Sequence, residues 1–178
     1  MLVINGLLLA FLTIYFLLVN KFNITFTQLF SVLGIILLIQ AVVGLVKKDQ
    51  TKSLIPILEQ VAIYEKGKMG REWDKQRKSG NIITLLLSVL MFFQAAIHLG
   101  STDGVFQLDF IFMLILGILI IGMINISMLF HFRKVDRSTS ELDMKGYTWK
   151  SNLIGGIVGL VFGVFIIVMI VFYVLSGV

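Results

Sequence analysis

Residues Leu153–Leu175 read LIGGIVGLVFGVFIIVMIVFYVL, 23 positions without an Asp, Glu, Lys or Arg. A helix needs roughly 20 apolar residues to cross a hydrocarbon core of about 30 Å, and this stretch supplies them. A barrel strand would be about half as long and would alternate apolar with polar side chains. Every backbone polar group must be satisfied within the segment once water is excluded, so helix is the only choice.

Four more stretches share this character: Leu2–Val19, Phe26–Val46, Ile82–Leu99 and Phe110–Phe130, with 18, 21, 18 and 21 residues. No basic residue precedes Leu2, and no small-x-small cleavage pattern follows Val19. The first stretch is therefore expected to remain as a helix rather than be removed as a signal peptide. The whole chain agrees with this reading, being 58% hydrophobic and only 14% charged. A soluble domain carries about a quarter charged residues and could not hide so much apolar surface from water.

Charge distribution sets the orientation. The segment Lys47–Lys78 carries nine Lys/Arg and His131–Asn152 carries five, leaving Lys21 as the last of 15. Two alternate connections thus hold nearly every base, as expected of loops retained in the cytoplasm. The connection between the third and fourth spans has Asp103 and Asp109 and no base. The predicted fold is all-α: a polytopic integral membrane protein with five transmembrane helices, N-terminus cytoplasmic and C-terminus outside. Residues 1–178 form a single transmembrane domain, with cytoplasmic segments 47–81 and 131–152. The expected location is the cell membrane, as a multi-pass protein. One proline, no cysteine and an abundance of Ile, Phe, Lys and Asn suggest a bacterial chain.

Within the first cytoplasmic segment, Pro56 marks a helix start, and Leu54, Ile57, Leu58, Val61 and Tyr64 recur at helical spacing. A surface helix is expected there, interrupted by Gly67 and Gly70. The dense charges of Arg71–Lys78 suggest a cytoplasmic extension of the third span. In the second segment, Ser138 and Glu141 have the spacing of a capping box, and Gly146 is a stop signal. Tyr147 and Trp149 sit like interfacial anchors.

Internal echoes run through the chain. Leu7–Leu9 with Leu12 matches Leu85–Leu87 with Leu90, and Leu33-Gly34-Ile35 matches Leu116-Gly117-Ile118. The order suggests two tandem helical hairpins plus a fifth helix, although leucine-rich spans match one another easily by chance.

Candidate functional residues are few. Gly155, Gly159 and Gly163 clear one face of the fifth span for close helix packing. That face serves either a seam with another molecule or, more simply, packing against helices of the same chain. Gln40, Gln94 and Asn125 are the polar side chains best placed for an interior cluster, joined either for structure or along a solute path. His98 with Asp103 and Asp109 could bind a metal, but their spacing across a glycine-containing loop fixes no geometry. His131 has basic neighbours and no catalytic case; anionic headgroups are its expected surroundings.

No HExxH, G-x-S-x-G or Walker pattern occurs, and no cysteine is present to act as nucleophile or metal ligand. No charged residue falls within a span, as coupled transporters and intramembrane proteases generally require. The expectation is a non-enzymatic membrane protein with no cofactor, metal or catalytic residues: an accessory, immunity or regulatory subunit acting through protein or lipid contacts. An oligomeric small transporter or channel is the alternative, and a membrane enzyme of unrecognised type comes third. Expected partners are the lipid bilayer, anionic lipid at the cytoplasmic face, and another membrane or cytoplasmic protein or a second copy. Nucleic acid is not expected, because topology and anionic lipid account for the positive charge.

Overall fold

The structure is a computed structural model describing residues 1–22, 24–47, 51–53, 55–100 and 110–175. Its helices in chain order are α1 (Leu2–Lys21), α2 (Phe26–Val46), α3 (Pro56–Met69), α4 (Arg71–Ile97), α5 (Phe110–Arg137) and α6 (Tyr147–Leu175), with a 3₁₀ turn at Glu141–Met144 before α6. There is no strand among the described residues. All but α3 are long and apolar enough to cross a membrane, with windows of mean hydropathy between 2.0 and 3.1. These five helices mark a multi-pass membrane protein.

The chain leaves 12457 Å² accessible to solvent. A soluble monomer of this mass would leave roughly 8,700 Å². The surplus lies on apolar helix flanks such as Leu17, Ile39, Phe93, Ile118 and Ile167. Such flanks suit lipid or another apolar surface rather than water.

Helix α2 lies along α4 over most of its length. Two glycines permit the approach. A Cβ on Gly34 would stand 3.0 Å from the Phe92 ring, and one on Gly44 would collide with the Asn81 side chain. Ser88, fully buried on α4, donates its hydroxyl to the Gly34 carbonyl at 2.9 Å. Helix α1 meets α5 instead, where a reciprocal amide pair joins Asn5 and Asn125 at 3.0 and 3.2 Å. The pairing is therefore nested, α2 with α4 and α1 with α5. The tandem hairpins expected from chain order are not the packing units.

Thr25 and Gln28 cap α2 reciprocally, side chain to backbone amide, which assigns Gln28 to a helix start rather than to the span interior. Helix α3 runs unbroken through Gly67 and stops at Gly70, whose φ of +53° disfavours any residue with a Cβ. The side chain of Glu141 also abuts this glycine. With the helix turned there, α4 begins one residue later and carries its charged first turns straight into the span.

Candidate functional site

At the charged end, α3, the start of α4, the end of α5, the 3₁₀ turn and the start of α6 converge on one small core. Met69, Trp73, Val135 and Met144 are buried together, with Ala62 and Tyr147 packed against them. The inward face of α3 is thus Leu58, Ala62, Glu65 and Met69, while Ile57, Ile63 and Tyr64 are exposed. Of the expected stripe, Leu58 and Val61 are half-buried, Ile57 and Tyr64 are exposed, and Leu54 lies outside the described residues.

Glu65 meets His131 Nε2 at 3.1 Å, and the Tyr147 hydroxyl meets His131 Nδ1 at 2.7 Å. A carboxylate only accepts, so the Nε2 contact is made with the proton on that nitrogen, and the Tyr147 hydroxyl can serve Nδ1 in either role. One imidazole thereby ties α3, α5 and α6. Burial raises the Tyr147 phenol above its ordinary value, offset partly by a hydrogen bond with Ser151. Two further ties join α3 to the end of α5: the Tyr64 hydroxyl donates to Asp136 at 2.9 Å, and Lys68 donates to the Ser138 carbonyl at 3.1 Å.

Glu72 is a second acid turned inward and, unlike the half-buried Glu65, is only 5% exposed. Its carboxylate accepts from Lys75 at 2.7 Å and from the Thr148 backbone N–H at 3.2 Å, while the Thr148 hydroxyl donates to its carbonyl. The Lys75 bond, with those from Thr148 and Gly146, overcomes the opposing effect of burial and holds the carboxyl at about 2. Farther along, Asn152 donates to Ser79 at 2.6 Å, so α4 and α6 are pinned together over their first turns. In the 3₁₀ turn, Asp143 rather than Glu141 receives the capping bonds, from the Thr139 and Ser140 amides; Ser138 instead turns inward to the Val135 carbonyl. Those bonds, the Thr139 amide first, lower the Asp143 carboxyl below its usual value.

Beside this core lies an open cavity of about 400 Å³ between the segment before α3, α3 itself, α4 and α5. Thr51, Lys52 and Ser53 form one wall, Leu58 and Ala62 another, and Glu65 and His131 a third. Trp73, Gln76 and Arg77 of α4 complete it. The Arg77 guanidinium and the Lys66 ammonium both stand over the Trp73 ring, at 5.2 and 5.1 Å, a cation–π arrangement.

The residues singled out from sequence are placed as follows. Asn125 joins Asn5, while Gln40 and Gln94 have exposed side chains on α2 and α4; the three do not gather. A Cβ added to Gly155, Gly159 or Gly163 would meet nothing within 4 Å among the described residues, so none of the described helices covers that face. Helix α6 is nevertheless held at both ends, by Thr148 and Asn152 near its start and by Tyr173 against Phe112, ring centroids 4.3 Å apart, near its finish. His98 lies flat against Phe26 and Phe30 of α2, centroids 5.2 and 6.0 Å away. Asp103 and Asp109 lie outside the described residues. The Glu65–His131–Tyr147 link was not anticipated, since nothing in the sequence ties position 65 to 131. The available signal was an acid in the apolar stripe of α3, which demands a partner.

Compared with models of protein families, with curated proteins and with solved structures, the chain matches none.

Proposed function

We propose that this chain is a non-enzymatic subunit of the cell membrane that works through contacts, with a helix of another membrane protein seated on α6. The observation that carries this reading is the uncovered glycine face, Gly155, Gly159 and Gly163, on a helix anchored at both ends. Small residues at that spacing let two helix backbones approach closely, and packing rather than hydrophobicity drives such association in lipid. Left against lipid, the same residues forfeit side-chain packing without any return. The accessory or regulatory role fits the folded charged end, which presents Lys134, Trp149 and Lys150 to its surroundings.

In this reading the N-terminus is cytoplasmic and the C-terminus outside, because 14 of the 15 bases sit in the two connections that meet at the charged end. A reporter fused after Val178 is expected to be active only outside the cytoplasm; activity confined to the cytoplasm would reverse the orientation.

Purification in a mild detergent tests the contact reading. The chain should carry a second membrane protein in fixed ratio, and Gly159→Leu should release it while leaving the chain itself folded. If the chain purifies alone and passes solute when reconstituted by itself into liposomes, the oligomeric channel replaces the subunit reading.

A further inference from the structure

We propose that α2 packs against α2 of a second copy of this chain, with the two Gln40 side chains joined as a reciprocal amide pair within the seam. The inference goes beyond the contact proposed for α6 and uses a different helix.

Depth comes first. Gln40 lies seven residues before Lys47, the first charged residue after the stretch Phe26–Val46. At roughly 1.5 Å per residue, its Cα is about 10 Å inside the apolar stretch. The Cα–Cβ bond of a helical residue tilts toward the helix N-terminus, which for α2 is the far end. The side chain is therefore aimed deeper, not toward the water near Lys47. It is exposed on the helix, and its amide has no hydrogen-bond partner among the described residues. An amide carries two N–H donors and a carbonyl acceptor, and such groups are costly when left unsatisfied in hydrocarbon. At this depth the partner has to come from another molecule.

Complementarity selects that partner. An amide both donates and accepts, so a second amide at the same depth satisfies it. The chain already contains this arrangement, where Asn5 and Asn125 exchange bonds of 3.0 and 3.2 Å between α1 and α5. Copies of one chain share one orientation in the bilayer, and a twofold axis along the membrane normal brings identical residues together at one depth. A second copy thus supplies the matching amide with no further requirement. Leu33, Ile36 and Val43 stand at i−7, i−4 and i+3 from Gln40, the alternating three- and four-residue spacing of a helix–helix seam. Ile36 and Val43 are exposed, so no described helix covers this face, while Gly34 and Gly44 carry the contact with α4. Apolar spacing alone would not single out this face in so hydrophobic a helix. The lone amide does, and one polar residue in an apolar seam also fixes its register.

The sequence has no cysteine, so single cysteines report the seam without background. In native membranes treated with copper phenanthroline, the full chain carrying Val43→Cys should form a disulfide-linked dimer of twice its mass. Ile35→Cys, exposed but about 140° round the helix from Gln40, should form none. Strength is read in phosphatidylcholine liposomes, from energy transfer between copies labelled at Lys145→Cys, an exposed position at the charged end. Gln40→Leu, at a site that touches no polar group of its own chain, should weaken the association roughly tenfold, because two interhelical bonds are lost. Gln40→Asn keeps the amide and should retain most of the affinity. Gln94→Leu, which removes the other exposed amide, should leave it unchanged.

A Val43→Cys adduct with a different protein would assign the amide to that protein and overturn the second copy. Adducts at Ile35→Cys in place of Val43→Cys would overturn the face. Energy transfer no greater than random proximity gives, or unaltered association of the folded Gln40→Leu protein, would overturn the amide seam. Gly159→Leu should leave this association intact, and Gln40→Leu should leave partner capture by α6 intact, so the two contacts fail separately.

Discussion

Replacing Gly34 by leucine is expected to force α2 away from α4 and to cost the chain about 1–3 kcal/mol of stability, the usual range for overpacking a close contact. The site has no spare room, since even a Cβ would stand 3.0–3.1 Å from three atoms of the Phe92 ring. Separation would also break the Ser88 bond to the Gly34 carbonyl, which stabilises by roughly 0.6 kcal/mol on the scale measured for bonds between membrane helices. Alanine at the same position should cost much less, because the ring needs to yield by only a few tenths of an ångström. Leucine at Gly6, where an added Cβ meets nothing within 4 Å, should be nearly neutral. Thermal unfolding of the three variants in one detergent checks the order. A Gly34→Leu protein as stable as the Gly6→Leu protein would contradict the α2–α4 packing.

Removing the Glu72 carboxylate should be the most damaging change at the charged end. Glu72→Ala leaves the buried Thr148 N–H without its acceptor and opens a gap beside Trp73, for an expected loss of about 2–3 kcal/mol. The share due to Lys75 is the smaller one, because that side chain is 64% exposed and water can replace its partner. The sign of the pH effect follows from the depressed carboxyl. Its folded value of about 2 lies below the ordinary 4.5, so the stabilisation is complete above about pH 5 and is lost as pH falls toward 2. Glu72→Gln keeps an acceptor for Thr148 but cannot titrate, and should flatten this part of the profile. Exchange protection of the Thr148 amide reports the contact directly. Protection that is the same at pH 5 and pH 3 in both proteins would contradict the assignment.

The spans were legible because charged residues delimit them, and so was the charged extension that starts α4 at Arg71; the other helix ends were not. Helix α5 runs on to Arg137 and α6 starts at Tyr147, each well outside its apolar stretch. Backbone hydrogen bonding does not stop where the hydrocarbon does, and residues such as Arg, Glu, Lys and Gln are good helix formers. Helix pairing was harder to read, because apolar flanks do not name their neighbours in lipid. The internal echoes nonetheless acquire meaning. Gly34, matched to Gly117, packs against Phe92 of α4, while Gly117 faces Leu12 of α1, the position matched to Leu90. Both glycines serve a contact between the second helix of one hairpin and the first helix of the other.

Polar side chains were legible as residues needing partners but not as pairs. Asn5 and Gln28 were assigned to the spans by composition; one joins α1 to α5 and the other caps α2. Glu65 and Glu72 looked like ordinary members of a charged run. Their helical register, on the same face as Met69 and beside Trp73 respectively, is what turns Glu65 inward and buries Glu72. Net charge hides such acids, since a count treats a carboxylate tied across helices and one dangling in water alike.

The most direct measurement of the contact reading is photocrosslinking in native membranes. Phe162 lies on the glycine side of α6, three residues beyond Gly159, whereas Val161 points away and is 62% exposed. A benzophenone amino acid placed at position 162 should give a discrete adduct with one other membrane protein, and the same group at 161 should give only diffuse lipid products. Diffuse products at both positions would show that lipid alone meets the glycine face, and would contradict the proposal that the chain acts through a helix seated there.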